Sequence, residues 1–183
     1  MQVELLTGPA AEPVSLAEAK LAARVDDAAF DSLIPGLLTA ARQAAEHLTG
    51  RRFGEQTWRV SLVDWPTPTD ELPVNGPTAV KTSYWDGAAW SAPAMLDAAC
   101  WAAEGRGTVI AAPGTGAWPA LGNRPVGPRV RIEITAGGPA DEQVRLYIKA
   151  VVAHWLNHPE AAQAGAMTPN PLFERLLDRA AVY

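Results

Sequence analysis

The chain has 183 residues, 48% of them apolar, with 15 Lys and Arg against 20 Asp and Glu for a formal net charge of −5. That length predicts one domain with room for an elaborate insertion, and the apolar fraction is ample for a core. The acidic balance argues against a nucleic-acid binder driven by phosphate attraction, although an acidic protein can still line a path along which DNA slides.

Residues 1–14, with Gly8, Pro9 and Pro13, are expected to form an extended arm. Ser15-Leu16-Ala17-Glu18 is a capping box and predicts a short helix to about Arg24. Asp26 or Asp27 then caps a longer predicted helix ending near Thr49, with Phe30, Leu33, Ile34, Leu37, Leu38, Ala41, Ala45 and Leu48 at helical spacing. Pro35-Gly36 falls inside this pattern and should kink or split it, because proline lacks a donor and clashes with the preceding turn. Gly50 is suited to the left-handed residue that ends a helix.

From residue 56 to 135 the character changes. Six of the seven tryptophans lie here: Trp58, Trp65, Trp85, Trp90, Trp101 and Trp118. Trp58, Val60 and Leu62 alternate with Arg59, Ser61 and Val63, as a half-buried strand requires. Glu71-Leu72-Pro73-Val74 reads as a short edge segment. Asp86-Gly87 between two strand-like runs, 80–85 and 89–92, predicts a hairpin. Segments 108–111 and 129–135 supply two more strands, the latter with Val130, Ile132 and Ile134 on one face. The long loop between them, 113–128, has the length of a functional or disordered loop. Asp141 opens a further helix with the stripe Val144, Ile148, Val151, Val152 and Trp155. Pro171 opens a last one whose apolar side is Leu172, Phe173, Leu176 and Leu177. The fold class is therefore α+β: a bundle of about four helices with a large antiparallel β insertion between the second and third. In domain terms, residues 1–183 form a single domain, with 1–55 and 140–183 as the helical body and 56–138 as the β-rich insertion.

Cys100, the single cysteine, can form neither an internal disulfide nor a cysteine-rich metal site, and is expected to be a small buried apolar residue in a reducing compartment. The start Met1-Gln2-Val3-Glu4 carries no basic segment followed by an apolar run, and no run approaches the ~18 residues of a membrane span. The protein is expected to be made and used in the cytosol, or exported only within a larger particle, without a membrane partner.

His154 and His158 stand four apart on a helix, a spacing that can hold a metal, but no glutamate follows the first and no third ligand is apparent; a helix C-terminal pair favoured by the dipole is the plainer reading. The glycine-rich stretches at 105–107, 114–116 and 122–127 lack the strand, loop, helix order of a phosphate cradle. No serine sits in a Gly-x-Ser-x-Gly elbow, so catalysis, cofactors and metal have no sequence support. Arg51, Arg52, Arg59, Arg106, Arg124, Arg129 and Arg131 make the middle of the chain locally basic, suited to DNA phosphates or to an acidic neighbouring subunit, or simply a solvated face. The tryptophans suit a core better than a ligand box. Trp118 is the exception, because a Trp in a Gly/Pro loop often anchors an interface. The last helix either packs on the first two or docks in a groove of another protein.

Taken in order, Val14-Ser15-Leu16-Ala17-Glu18-Ala19-Lys20, Ala40-Ala41-Arg42-Gln43-Ala44-Ala45-Glu46 running to Thr49-Gly50-Arg51, Gln56-Thr57-Trp58, Leu72-Pro73, Tyr84 with Asp86-Gly87, Gly116-Ala117-Trp118-Pro119, the strand ending Ala136-Gly137, and Ala153-His154-Trp155 resemble the head–tail connector (adaptor) proteins of long-tailed phages, prophages and gene transfer agents. The resemblance implies a structural virion protein and not an enzyme. It would form a ring, usually dodecameric, below the portal, extend the DNA channel without sequence specificity, and offer a platform to the stopper on the tail side. It further implies a virion neck location after assembly in the bacterial cytoplasm, and portal docking by the last helix through Leu172, Phe173, Arg175, Leu176, Leu177 and Arg179. Trp118, Pro119, Leu121 and Arg124 are the expected subunit or stopper interface, and Arg51, Arg52 and Arg59 the expected DNA-facing or inter-subunit charges. The alternatives are a small metal-dependent hydrolase using His154 and His158, or another neck component such as the stopper.

Overall fold

The computed structural model describes residues 1–158, apart from 106 and 115, and residues 175–177. These are α+β, with three α-helices, seven strands in antiparallel sheets and two 3₁₀ turns. They divide into two compact units: a β unit of Met1–Pro9 and Glu55–Gly138, and a helical unit of Ala10–Gly54 with the described residues from Pro139 onward. The expected fourth helix falls almost wholly outside the described residues.

In the helical unit, Ser15 caps α1 (Leu16–Ala23) as the sequence predicts. Its hydroxyl accepts from the Glu18 amide, and the Glu18 carboxylate accepts the Ser15 amide at 2.9 Å. The single long helix expected from Asp26 or Asp27 onward is corrected. Asp27 caps only a 3₁₀ turn, Ala28–Phe30, and α2 (Ile34–Thr49) begins separately with Pro35 in its first turn. Proline is tolerated there because that N–H would lack an intrahelical partner anyway. The break takes Phe30 and Leu33 off the apolar stripe; they are 37% and 51% exposed, whereas Ile34, Leu38, Ala41 and Ala45 are buried. Gly50, at φ 71°, closes α2 by donating its N–H to the Glu46 carbonyl.

Asp141 caps α3 (Glu142–Asn157), accepting from the Val144 amide at 3.0 Å. Val144, Ile148, Val151 and Val152 are buried as the stripe predicts, joined by Tyr147, while Trp155 is only partly buried. These side chains share one core with Ala19 of α1, with Ile34, Leu38, Ala41 and Ala45 of α2, and with Phe53. Each fully buried aliphatic or aromatic side chain contributes roughly 1.5–3 kcal/mol by leaving water.

The β unit is a five-stranded sheet ordered β1-β2-β7-β3-β4, built from β1 (Gln2–Thr7), β2 (Gln56–Leu62), β3 (Pro77–Tyr84), β4 (Ala94–Met95) and β7 (Val130–Ala136). A hairpin of β5 (Trp101–Glu104) and β6 (Gly107–Ile110) completes it. The segment expected as an extended arm of the helical body is instead the edge strand β1, paired antiparallel with β2. Strand β7 is central and alternates strictly: Val130, Ile132, Ile134 and Ala136 are buried, and Arg131, Glu133 and Thr135 face outward. This parity fixes register, because a slip of one residue would exchange the two faces. The 71–74 segment borders the β5–β6 hairpin through a single bridge to β6, the edge position the sequence suggests. Leu72 exchanges two backbone hydrogen bonds with Thr108, and Leu72 and Val74 are buried. The 86–87 hairpin turn forms, but its second strand is reduced to a single Trp85–Trp90 bridge. Cys100 lies at the margin of this core.

Candidate assembly surfaces

The two faces of the sheet differ in chemistry. Across the strands, Glu4, Arg59, Glu133 and Lys81 stand directly opposite one another in register. Arg59 donates to Glu133 at 2.8 Å and approaches Glu4 at 3.8 Å, so this row neutralises itself. The next row on the same face runs Gln2, Ser61, Arg131 and Ser83. Arg131 pairs with no carboxylate. Its guanidinium lies 3.9 Å from the Trp90 ring centroid, a close cation–π contact. Partial burial, reinforced by Arg59 and Arg124, lowers the Arg131 pKa, while Glu4 and Glu133 work the other way.

Trp118 is half-buried. It stacks on Trp65 with centroids 4.3 Å apart and planes 5° apart, and the Trp65 indole N–H donates to the Pro119 carbonyl at 2.9 Å. Leu121 packs partly against the sheet core. Arg124 donates to the Pro128 carbonyl at 2.7 Å and sits 5.0 and 5.3 Å from the Trp85 and Trp90 ring centroids. The described part of the 113–128 loop is thus pinned to the sheet by aromatic stacking and backbone hydrogen bonds.

Most of the arginines that make the sequence locally basic already have partners. Arg51 reaches Asp141 at 3.2 Å and lies over Phe53. Arg129 pairs with Asp64 at 3.0 Å and donates to the Val63 carbonyl. Arg52 is half-buried; that burial pulls its pKa down, Glu46 pushes it up and Arg42 opposes it again. Arg106 is outside the described residues. Among the described members of that set, Arg131 is the one with neither a hydrogen bond nor an ion pair. Counting arginines could not find this, because strand register decides which cations face carboxylates.

Of the last helix, Leu172, Phe173 and Arg179 lie outside the described residues. Leu177 is 3% exposed and belongs to the helical core, Leu176 packs against that core, and Arg175 is exposed. His154 and His158 stack on one another with centroids 4.7 Å apart, and no group of three or more His, Cys, Asp or Glu among the described residues could hold a metal ion. No described helix is long and apolar enough to cross a membrane.

The fold of the described residues, antiparallel sheets and α-helices, is similar to that of chains from gene transfer agent particles. A chain of the native gene transfer agent virion superposes with a TM-score of 0.71. Chains of the neck of the native particle computed with C12 symmetry, and of the neck of the empty particle computed with C6 symmetry, give 0.69 and 0.66. Each is 20% identical, and each alignment covers 100% of this chain and 96% of the other. No family model and no curated protein matches the sequence.

Proposed function

We propose that this protein is a structural neck component of a tailed particle, a head–tail adaptor that forms a ring beneath the portal and extends the DNA channel toward the stopper. The observation that carries this reading is the end-to-end likeness of fold to chains of gene transfer agent particles, two of them from the neck. The order of sequence motifs supports the same reading independently. A ring subunit repeats one heterologous interface around an axis, which demands two unlike surfaces on each copy. A helical unit and a β unit of different chemistry can supply them. Net acidity and self-neutralised arginines suit a channel that must not grip DNA.

In this proposal the portal meets the C-terminal segment through the exposed Arg175, together with Leu172, Phe173 and Arg179. Leu177 serves the subunit's own core, and Leu176 packs against it. The neck location, assembly in the bacterial cytoplasm and a dodecameric state belong to the same proposal. The test is to size the purified full chain alone and with its cognate portal, then image the mixture by electron microscopy. A ring capping the portal is expected, and Arg175→Glu should weaken it without unfolding the subunit. A chain that stays monomeric and ignores the portal would overturn the reading.

A further inference from the structure

We propose that Arg131, seated on Trp90 on the outward face of the sheet, binds a single carboxylate presented by an Asp or Glu of a neighbouring protein subunit. The argument begins with what Arg131 lacks. A guanidinium has five N–H donors in a rigid fork and is charged at any physiological pH. Arg131 makes no hydrogen bond or ion pair among the described residues; it lies over the Trp90 ring, and Glu4 and Glu133 act on it only from beyond ion-pair distance. That contact holds the guanidinium against the ring, and none of its N–H donors is used by another described residue, so a bidentate acceptor, the partner with which arginine is strongest, can be taken from outside the subunit. Register sets the hydroxyl-bearing Ser61 and Ser83 on either side, with no carboxylate in the row. Arg124, held by the Pro128 carbonyl and also lying against Trp90, adds positive potential at the same spot.

The neighbouring row decides between possible anions. Duplex DNA carries one charge per about 1.7 Å of axis, so phosphates arrive in a series. Those flanking the one on Arg131 would meet the adjacent row of Glu4, Arg59, Glu133 and Lys81, whose charges cancel, and would gain no net attraction there. A lone carboxylate needs only the one unpaired guanidinium. The site therefore fits a protein side chain rather than a nucleic-acid backbone.

The test follows the Arg131 Nε–H and Trp90 Nε1–H signals by NMR on the full chain. The probes are a short blocked peptide carrying one glutamate, its glutamine counterpart, inorganic phosphate and a short DNA duplex. The glutamate peptide should move both signals saturably, and the glutamine peptide should not. Arg131→Gln should weaken binding by about tenfold or more, and Arg131→Lys should recover only part of it, since an ammonium is a point charge without the fork. No response to the glutamate peptide, equal affinity in Arg131→Gln, or preferential binding of the duplex or phosphate would each overturn the proposal. Because the titration uses the isolated chain, its outcome is independent of whether a ring forms on the portal.

Discussion

Arg42 and Glu46, four residues apart on α2, form an ion pair at 2.8 Å in which both side chains are withdrawn from solvent, 4% and 6% exposed. Arg42 Nε also reaches Glu12 at 2.8 Å, and Glu46 accepts the Phe53 amide at 3.0 Å. One buried guanidinium thus joins the segment before α1 to α2, and one buried carboxylate joins α2 to the chain leaving it. Removing one partner strands the other charge, which costs about 3–5 kcal/mol against a total stability of about 5–15 kcal/mol. Arg42→Met should lose about 3 kcal/mol or more in urea denaturation. Glu46→Gln, which keeps an acceptor for the Phe53 amide and leaves Glu12 on Arg42, should lose less. A loss under about 0.5 kcal/mol for Arg42→Met would contradict a structural role for the network.

Gly122 crosses the Asp86-Gly87 turn, where its N–H donates to the Trp85 carbonyl at 2.8 Å. A Cβ added at residue 122 would lie 2.0 Å from the Gly87 nitrogen and 2.2 Å from the Asp86 carbonyl carbon, both backbone atoms that cannot rotate away. Gly122→Ala should therefore destabilise the β unit by about 1–3 kcal/mol, as overpacking does. Gly36→Ala is its opposite. Residue 36 lies in the first turns of α2 with nothing within 4 Å of an added Cβ, so alanine should stabilise by about 0.5–1 kcal/mol through helix propensity. Thermal unfolding of the two variants should shift in opposite directions.

The contrast shows which parts of the fold were legible in sequence. Local signals were: the Ser15 and Asp141 caps, the Gly50 stop, the stripe on α3 and the alternation on β7 are written in neighbouring residues. Long-range signals were not. Strand β1 reads as an arm because its partner lies fifty or more residues away. Arg42 and Glu46 stand four apart on a helix, but that spacing cannot report that Arg42 also reaches Glu12 and that Glu46 accepts the Phe53 amide. Pro35 announced a break, but not that the preceding segment would form a 3₁₀ turn and release Phe30 and Leu33 from the stripe. The same limit applied to the assembly surfaces, where the arginine set was visible but its pairing depended on register.

Acidification should weaken the protein in a defined direction. Glu18 accepts the Ser15 amide and hydroxyl at 2.9 and 2.8 Å, and these bonds, with Arg145 nearby, hold its pKa below the usual glutamate value. The Thr67 amide and hydroxyl do the same for Asp70, and the Ala89 and Ala88 amides for Asp86. A carboxylate whose pKa is lower folded than unfolded contributes stability that is complete above the unfolded value of about 4 and is lost as pH falls through the folded one. Denaturation midpoints should hold steady from neutral pH to about pH 5, then fall below about pH 4. Glu18→Gln should remove its own share of that slope while leaving the shares of Asp70 and Asp86. A midpoint that rises on acidification would contradict the assignment.

The stack of Trp118 on Trp65 and the subunit or stopper contact proposed for its loop have consequences that separate. The stack predicts a local stability term: aromatic pairs contribute about 0.5–1.5 kcal/mol beyond the area they bury, so Trp118→Ala should cost about 1–3 kcal/mol. A double-mutant cycle with Trp65→Ala should return a coupling of about 1 kcal/mol. If the ring in the proposed function also uses this loop, the exposed Pro119 beside it would be in contact while contributing little to subunit stability. Pro119→Asp should then leave urea denaturation within about 0.5 kcal/mol of the parent and still weaken the ring measured by sizing with the portal. A Pro119→Asp subunit that assembles normally would confine this loop to holding the sheet together and leave the ring contacts to other surfaces.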